Sequence, residues 1–499
     1  MQYILGIDIG TGSTKAVAVN LVNEVVDVSQ HYYPTNAPLP GYGEQDPELI
    51  WDAFNTCINE IHSRLGAPMA VALSSAMHSL IAVDSHCSPL LPMMTWADSR
   101  CADIVRRTKG TTLGEELYNE TGTPIHAMSP LFKIIWLREN EPKIFRETYK
   151  FISIKEYIWY RLFGEFKVDY SIASATGLFH ILHLRWHQSA LQLAQINELQ
   201  LSNPVPTSYF RAGADLSGQV LPFCKDTSFV IGASDGCLAN LGSYATEPGV
   251  AAITIGTSGA VRIASSRPIV NFKAMTFNYI LKENTYICGG PINNGGNVLQ
   301  WLLKNVFNWK DLNDTSYKAL FDGLIAVKPG SDGLLFLPYL SGERAPIWDT
   351  KSCGVYFGLR NSHNQSHLAH AVLEGICFAL NDVLTGLESM AGPISQINVS
   401  GGFVQSELWM QLLADITGKK IVRVQIEDAS AIGAIQLAAL ALNIADYQRS
   451  VTGNEEVTLP NAERHQIYQK YFALFKRLYQ QSNDTMHELH QLNQSISYV

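Results

Sequence analysis

The chain alternates short apolar runs with amphipathic stretches along most of its length. The first apolar run ends at Asp8, and Gly10 and Gly12 then predict a tight turn before a second strand at 16–19. Further along, apolar residues recur at helical spacing, with Asp46 ahead of them as a helix-capping residue. This alternation of strands and helices predicts α/β layers.

The same patterns predict the remaining elements. Further strands are predicted at 24–30, 69–75, 80–84, 92–96, 227–233, 334–340 and 397–400. Helices are predicted at 50–65, over most of 103–163, at 368–390, at 429–442 and from 461 onward. Residues 168–171 and the small residues after them predict an irregular insertion.

The turn after Asp8 has the composition of an anion-binding loop. Its glycines let backbone N–H groups approach an anion, and Thr11, Ser13, Thr14 and Lys15 add polar donors. Asp8 ends an apolar strand, where an unpaired carboxylate is costly, so we expect it to face a cation or water. A hairpin whose Asp caps its own turn is the alternative.

A second copy of this segment begins near the middle of the chain. Residues 250–263 align with the first copy, and Gly256 stands where the first copy has Gly10. Thr254 takes the position of Asp8, so only the first copy has the carboxylate. The repeat predicts two related domains, each with a phosphate-type turn.

Length and composition agree with two domains. The 499 residues exceed what one core ordinarily supports, and the border is expected near 244–249. The predicted domains are residues 1–245 and residues 246–499. The net charge of −9 disfavours a nucleic-acid backbone as the main partner, although a few amides, one Lys and Mg²⁺ suffice for a nucleotide.

The compartment is predicted from cysteines and hydropathy. The eight cysteines lack Cys-x-x-Cys spacing, so we expect reduced packing residues rather than disulfides or a zinc framework. No charged leader precedes the first strand, and no apolar run reaches the roughly 18 residues of a membrane span. A cytoplasmic protein without a membrane partner is the expectation.

Asp235 is the second carboxylate that suggests chemistry. It follows a predicted apolar strand, between Ser234 and Gly236, where side chains point into the crevice beyond strand ends. Phosphoryl transfer needs a metal, amide donors and one carboxylate that accepts the proton of the attacking hydroxyl. Asp235 is the candidate for that base, and a turn or helix cap is the alternative.

Polar groups at two successive strand ends, with Trp96 available as a cover, predict a pocket for a small polyol. The residues concerned are Met77, His78, Trp96, Asp98 and Arg100. A purely structural donor role for His78, and pairing of Arg100 with Asp98 or Asp103, are the alternatives.

Two further patterns carry less information. The segment 400–403, Ser-Gly-Gly-Phe before a helix, is typical of a loop beneath a flat base or a phosphate, but also of plain packing. His363, His367 and His370 share a helical face without a carboxylate or Cys, which favours a solvated face over a metal site. The sequence has no Gly-x-Ser-x-Gly elbow, which argues against a serine hydrolase.

Together these motifs resemble the FGGY family of sugar kinases. The resemblance rests on residues 8–15, 232–236, 254–259 and 400–403, and it extends from residue 4 to about 442 in the family's order. Within the family, segments 74–84, 95–100, 121–126 and 154–157 are most similar to the gluconate kinase branch. Xylulose kinases share the Met-His pair, usually in a Gln-Gln-Met-His-Gly form.

The resemblance implies an α/β fold of two ribonuclease-H-like domains, of the actin and Hsp70 type, with ATP and sugar in an interdomain cleft. It implies ATP-dependent phosphorylation of a terminal hydroxyl. The similarity to the gluconate kinase branch implies that the reaction converts gluconate to 6-phosphogluconate. Xylulose or another polyol or ketose is the alternative substrate. A non-catalytic nucleotide switch or a sugar sensor is the alternative of another class. The implied ligands are ATP or ADP, Mg²⁺ and a sugar or sugar acid. Whether the protein forms a homodimer is left undecided.

The resemblance also implies roles for matching residues. Asp235 corresponds to the catalytic base and Asp8 to the Mg²⁺ ligand. The residues implied to face the transferred phosphate are Thr11, Gly12, Ser13 and Lys15, and those implied to face the nucleotide phosphates are Gly256, Thr257 and Ser258. Gly401, Gly402 and Phe403 are implied to border adenosine. Met77, His78, Asp98, Arg100 and Asp235 are implied to form the sugar pocket. For a substrate carboxylate the candidate cations are Arg100, Lys155 and Arg344.

Overall fold

The computed structural model of the chain describes residues 1–217, 225–424, 428–445, 447 and 456–496, with side chains up to 493. Cys224, one of the cysteines expected to be a packing residue, lies outside the described residues. The other seven cysteines have free thiols, and all of them except Cys353 are buried.

Short strands and helices alternate through most of the chain. The strands are β1 (Tyr3–Ile9), β2 (Ser13–Asn20), β3 (Val25–Tyr32), β4 (Glu44–Gln45), β5 (Ala70–Ser75), β6 (Ile81–Val83), β7 (Met93–Met94), β8 (Lys150–Ile152), β9 (Lys167–Asp169), β10 (Phe179–His180), β11 (Arg185–Trp186), β12 (Asn203–Val205), β13 (Phe210–Ala212), β14 (Ser228–Ser234), β15 (Val250–Ile255), β16 (Gly259–Ser265), β17 (Phe277–Lys282), β18 (Thr285–Ile292), β19 (Leu335–Pro338), β20 (Gly354–Phe357), β21 (Gln396–Ser400), β22 (Lys420–Arg423) and β23 (Glu456–Thr458).

The helices cover the predicted amphipathic stretches. They are α1 (Pro47–Leu65), α2 (Ala102–Thr108), α3 (Thr112–Thr121), α4 (Pro130–Asn140), α5 (Pro142–Glu147), α6 (Ile154–Phe163), α7 (Tyr170–Ser174), α8 (Gln188–Ala194), α9 (Asp235–Gly242), α10 (Gly296–Trp301), α11 (Asp314–Leu324), α12 (Gln365–Ala391), α13 (Glu407–Thr417), α14 (Ala429–Ala441) and α15 (Ala462–Ile496). A π-helical stretch, Leu302–Val306, follows α10.

Contacts divide the described chain into two compact units. The first unit contains the described residues within 1–244, 264–288 and 426–452, and the second contains those within 245–263, 289–425 and 453–499. The predicted domains, 1–245 and 246–499, are each continuous in sequence, whereas each compact unit collects segments from more than one part of the chain.

The first unit is built on a six-stranded sheet in the order β13–β14–β5–β1–β2–β3. Strand β1 is antiparallel to β2 and parallel to β5, and β5 is parallel to β14. Alternate residues of β1 enter two different cores: Leu5 and Ile7 pack with α1, and Ile4 packs with α9 and α14. Because helices cover both faces of the sheet, β1 is an unbroken apolar run up to Asp8.

The second unit repeats this topology. Strand β15 is antiparallel to β16 and parallel to β21, β21 is parallel to β22, and β22 is antiparallel to β23. The strands β1, β2, β5, β14 and β13 of the first unit have the same relations in the same order. The internal repeat predicted from two short turns therefore extends to five strands of each sheet.

The segment predicted as an irregular insertion is regular, so that prediction is wrong. Strand β9 covers 167–169 and pairs in parallel with β12, which lies more than thirty residues further along the chain. Asp169 then caps α7, its Oδ1 accepting the Ile172 N–H at 3.0 Å. A three-residue strand with so distant a partner leaves no local periodicity to detect.

Helix α12 is long and apolar enough to cross a membrane when judged by length and composition alone. In the structure, 83% of its most apolar 18-residue window is buried inside the protein. A buried core helix passes the same test, and α12 contacts β19 and α13 of the second unit.

Candidate active site

Asp8 lies at the carboxyl end of β1, beside the matching end of β5. Ser74 Oγ donates a hydrogen bond to Asp8 Oδ1 at 2.6 Å. Withdrawal from bulk water and, next, repulsion from Asp235 raise the pKa of Asp8 to about 7. A divalent cation relieves such repulsion, and carboxylate oxygen is the ligand that Mg²⁺ prefers. The donor set at this sheet edge therefore fits Mg²⁺.

Asp235 is the first residue of α9 and directly follows β14. Its Oδ1 accepts the Gly236 N–H at 2.6 Å, and Ser234 caps the helix by accepting the Cys237 N–H. The register between β14 and β5 shifts just before this point, between Val230 and Ala233. The carboxylate is consequently fixed at a helix start, beside the end of the strand that carries Ser74.

A buried ion pair supports the backbone that precedes Asp235. Lys155 Nζ lies 2.7 Å from Asp169 Oδ2, and each side chain is 1% exposed. Lys155 also donates to the Ala233 carbonyl at 2.8 Å. Burial lowers the pKa of Lys155 and raises the pKa of Asp169. Lys155, a sequence candidate for a substrate carboxylate, is thus neutralised within the protein and positions the chain before Asp235.

The first phosphate-type turn is closed by its own backbone. The Gly10 N–H donates to the Ser13 carbonyl at 2.9 Å, and Tyr33 Oη donates to the Gly10 carbonyl at 2.6 Å. Ser13 Oγ accepts from Gln30 Nε2 at 2.8 Å. Gly12 is exposed, and a Cβ added there would have no atom within 4 Å. The tip of the turn is therefore open to a ligand.

The other side chains of this turn already have protein partners. Thr11 Oγ1 accepts from Trp96 Nε1 at 2.9 Å. Lys15 Nζ lies 2.5 Å from Asp428 Oδ1, in an ion pair that is only partly exposed. The structure thus places Thr11, Lys15 and Trp96 at the turn, with the Lys15 charge balanced by an acid that sequence reasoning did not identify.

His78 is held on both ring nitrogens. Nδ1 donates to the Ala175 carbonyl at 2.8 Å, so Nε2 accepts from Tyr279 Oη at 3.1 Å. The residue is 7% exposed and has a φ of +65°. Its backbone carbonyl and that of Thr95 both accept from Lys133 Nζ at 2.6 Å. This geometry matches the structural-donor alternative for His78.

Lys133 connects the two strand-end loops of the predicted sugar pocket. It is fully buried, and burial lowers the pKa of its amine to about 7. Sequence reasoning missed it, although a lysine between Phe132 and Ile134 in an apolar stretch is an available signal.

Asp98 and Arg100 form a buried ion pair rather than two open ligand groups. Arg100 Nη2 lies 2.6 Å from Asp98 Oδ2 and 2.6 Å from Glu44 Oε1, and the guanidinium stacks 3.6 Å above the Tyr42 ring. Asp98 also accepts the Gly43 N–H at 2.9 Å. Of the two pairings considered from sequence, the structure has Asp98. The direct role of this pair in substrate binding stays a prediction.

A small cavity lies between the first turn and the strand-end loops. It is lined by Gly10, Thr11, Gln45, Ile50, Ala76, Met77, Ser79, Met93, Thr95, Trp96 and Ile154. The structure thus brings Met77 and Trp96 together with the phosphate-type turn, as expected of groups at neighbouring strand ends.

The second phosphate-type turn lies in the second unit. The Gly256 N–H donates to the carbonyl of Ser258, two residues on, at 2.9 Å, whereas Gly10 in the first copy donates to Ser13, three residues on. The carbonyls of Gly256 and Thr257 accept the N–H groups of Gly296 and Asn297 at 2.8 and 3.2 Å. With its carbonyls bonded to the start of α10, the turn exposes Gly256 and Thr257 at its tip.

The strand-end pair of the first unit has a counterpart here. Thr254 Oγ1 lies 3.1 Å from Ser400 Oγ, where the first unit has Asp8 and Ser74. The register agrees, because Thr254 is opposite Ser400 as Asp8 is opposite Ser74. The repeat therefore keeps the geometry but replaces the carboxylate by a hydroxyl.

The segment 401–403 combines packing with an open position. Gly401 has a φ of +107°, and a Cβ there would lie 2.3 Å from the Ile255 carbonyl oxygen. Phe403 is 5% exposed and packs edge-on against Trp409. A Cβ at Gly402, by contrast, would have no atom within 4 Å. Gly402 is the position of the three that a ligand could approach.

The three histidines predicted to form a solvated face are not alike. His363 precedes α12, and His367 Nε2 lies 3.2 Å from Asp332 Oδ2. His370 is buried, with Nδ1 2.9 Å from Ser331 Oγ, so the prediction is wrong for this residue. Helical spacing suggested that the three residues share one face. It could not show that His363 lies before the helix or that His370 is buried.

The exposed glycines allow a direct test of both turns. Gly12→Ala and Gly256→Ala each add one methyl group in open space, so we expect unfolding temperatures like that of the parent. If a phosphate approaches the backbone there, the methyl displaces it, and we expect kcat/KM to fall about 10–100-fold. A coupled assay of ADP release measures this. Gly323→Ala, also in open space but on α11, is the matched control. Parent-like turnover in both turn variants would contradict the phosphate role.

Comparison with known proteins identifies the class. The N-terminal domain of the FGGY family of carbohydrate kinases matches residues 3–242, and the C-terminal domain of that family matches residues 251–442. The chain belongs to the FGGY family of carbohydrate kinases. It is therefore an enzyme, and the alternatives of a nucleotide switch and a sugar sensor do not hold.

Individual relatives are similar over nearly their whole length. A gluconokinase of Bacillus licheniformis is 39% identical over 490 residues, covering 96% of this chain and 95% of that protein. A xylulose kinase of Lactococcus lactis subsp. lactis is 30% identical over 512 residues, covering 99% of each. The crystal structure of gluconate kinase from Lactobacillus acidophilus has a TM-score of 0.92 and 32% identity, covering 98% of this chain and 99% of that one.

Proposed function

We propose that this carbohydrate kinase transfers the terminal phosphoryl group of ATP to the 6-hydroxyl of gluconate. The observation that carries the choice of substrate is the 39% identity to a gluconokinase, against 30% to a xylulose kinase, over almost the whole chain in both cases. Xylulose is the alternative substrate.

Asp235 is the proposed general base. Its carboxylate is held at the start of α9 by the Gly236 N–H, and the backbone ahead of it is fixed by Lys155. In this position it accepts the proton of the attacking hydroxyl while the bond from that oxygen to the terminal phosphorus forms and the bond from this phosphorus to ADP breaks. One carboxylate suffices, because phosphoryl transfer depends mainly on positioning and charge stabilisation.

Asp8 is the proposed ligand of Mg²⁺. When bound, the cation supplies charge neutralisation for the phosphate oxygens. The role of the chain is to present Asp8 at a strand end, oriented by the Ser74 hydroxyl at 2.6 Å. The raised pKa of Asp8 supports this proposal, because an added positive charge stabilises its ionised form.

The two turns are proposed to hold phosphate groups. Gly12 and its neighbours Thr11 and Ser13 receive the transferred group, with Lys15 nearby, and the exposed tip at Gly256 to Ser258 binds the nucleotide phosphates. Gly402 is the proposed point of close approach for adenosine. Both turn tips expose backbone at glycine, which is what amide recognition of an anion requires.

Recognition of the gluconate carboxylate is not assigned to a charged residue of the first unit. Arg100 and Lys155 are paired with Asp98, Glu44 and Asp169 at 2.6 to 2.7 Å. Arg344 Nη2, in the second unit, donates to the Ile292 carbonyl at 3.0 Å. We propose that neutral N–H and O–H donors of the strand-end loops contact the carboxylate. We also propose a cytoplasmic location.

The test is a panel of acceptors in a coupled ADP-release assay. Gluconate, xylulose, ribulose and glycerol are compared at equal concentration, and the product is identified by ³¹P NMR. We expect the highest kcat/KM with gluconate and a phosphate on its primary hydroxyl. Turnover of xylulose without turnover of gluconate would overturn the proposed substrate and leave the family assignment in place.

A further inference from the structure

We propose that Glu116, Glu120 and His187 form a binding site for one divalent transition-metal ion of the Zn²⁺ class. The ligand atoms of the three side chains all lie within 4.8 Å of one another. The cluster belongs to the first unit, and it shares no residue with the proposed catalytic site.

The carboxylates converge because of helix geometry. Glu116 and Glu120 are four residues apart on α3, so they project from the same face of the helix. Two like charges at this spacing repel each other and slightly destabilise the helix, so helix stability does not explain the pair. Among the described residues, the ion pairs of Glu120 are to histidines alone.

The imidazole comes from a different element. His187 stands just before α8 and is 4% exposed, with Nε2 2.6 Å from Glu120 Oε2. Glu116 Oε1 is oriented by Ser189 Oγ, which donates to it at 2.9 Å. The site therefore combines carboxylate and imidazole ligands. The Ser189 hydroxyl supports it by fixing the orientation of one carboxylate.

His180 borders the three ligands without being one of them. His180, on β10, has its Nε2 3.8 Å from the same Glu120 oxygen, and its ring stacks on that of His187 at 5.7 Å. Four-coordinate geometry with bonds of about 2.0–2.2 Å separates ligand atoms by roughly 3.3 Å. The distance of 2.6 Å between His187 Nε2 and Glu120 Oε2 must lengthen to reach that value, and the fourth position is left to solvent.

The chemistry of the donors selects the class of metal. Imidazole nitrogen favours zinc and its transition-metal neighbours, whereas Mg²⁺ and Ca²⁺ take oxygen ligands. His187 Nδ1 now accepts the Ala190 N–H at a long 3.3 Å, so Nε2 carries the proton. A metal bond to Nε2 requires the proton to be on Nδ1, so it takes the place of the hydrogen bond to Glu120 and gives up the long Ala190 contact. The ion would then link α3 to the start of α8.

The test uses the full chain, with any affinity tag removed and bound metal stripped by a chelator. Zn²⁺ alone is titrated by calorimetry with Mg²⁺ in millimolar excess, which occupies oxygen-ligand sites. We expect one Zn²⁺ per chain at this site and a rise in the unfolding temperature, because the ion binds only the folded state. X-ray absorption is expected to show imidazole in the zinc shell.

Two variants separate this site from non-specific uptake. Glu120→Gln keeps the size of a half-exposed side chain, and we expect zinc affinity to fall by roughly 100-fold or more, since even outer-sphere partners contribute about 10–100-fold. Glu60→Gln changes a surface His–carboxylate pair with His31 and should leave zinc binding unchanged. Parent-like zinc binding by Glu120→Gln, no zinc uptake by the parent, or displacement of zinc by Mg²⁺ would each overturn the proposal. Equal unfolding temperatures of the metal-free proteins show that folding is not the cause.

Discussion

Replacement of Asp235 by Asn is expected to lower kcat by about 10²–10⁴-fold, the usual contribution of a general base. The Asn side chain keeps an oxygen that can accept the Gly236 N–H, so the start of α9 is preserved. It cannot take the proton of the attacking hydroxyl, and the loss therefore falls on the chemical step. Initial rates over a range of gluconate and ATP concentrations measure kcat and both KM values.

The unfolding temperature of the Asp235→Asn variant distinguishes a general base from a structural role. Asp235 raises the pKa of Asp8 by repulsion, so removal of its charge is expected to leave the unfolding temperature unchanged or higher. A variant that unfolds early, or that loses affinity with kcat intact, would indicate support of the site instead of proton transfer. Turnover within a few-fold of the parent would remove Asp235 from the role of base.

The second large effect is expected at Gly232. This residue has a φ of +72°, and a Cβ on it would lie 1.7 Å from the Leu73 carbonyl oxygen. Gly232→Ala combines a left-handed backbone with a clash against β5, which together cost about 2–5 kcal/mol in the free energy of unfolding. Chemical denaturation followed by circular dichroism measures the loss. Because Gly232 precedes Asp235 by three residues, kcat of the folded fraction should fall as well.

Gly66→Ala is the matched control for this substitution. Gly66 has a φ of +79° at the end of α1, but a Cβ there would meet no atom within 4 Å. Its ψ of −164° lies in a region that essentially only glycine populates, so a backbone cost of about 1–3 kcal/mol is expected, with unchanged kcat. Equal losses in the two variants would show that the approach of β14 to β5 does not constrain Gly232.

The opening hairpin and the repeat could be predicted from sequence because their signals are local. An unbroken apolar run, two glycines and a polar turn lie within a dozen residues, and the second copy shows the same order. The strand end at Asp235 was visible for the same reason. The structure adds the strand pairing, which is parallel and in the same register for β1 with β5 and for β15 with β21.

The partners of the candidate residues could not be predicted in this way. Asp428 lies more than four hundred residues from Lys15, and Tyr279 lies two hundred residues from His78. Tyr42 and Glu44 complete the surroundings of Arg100 from a loop and the two-residue strand β4, which are too short to show a periodicity. Each contact limits what the candidate residue can bind: the charges of Lys15 and Arg100 are paired within the protein, and both ring nitrogens of His78 are hydrogen-bonded.

The sequence by itself determined the α/β class, the duplicated turn and the position of the two acids, because backbone preference and apolar periodicity act over a few residues. Tertiary structure alone decided which charges are free and which are paired. Lys155 and Arg100 are cations in the sequence but buried ion pairs in the molecule, and His370 is a core residue. The physical reason is that burial and charge pairing depend on chain segments that come into contact only when the chain folds. The local sequence around one residue does not contain that information.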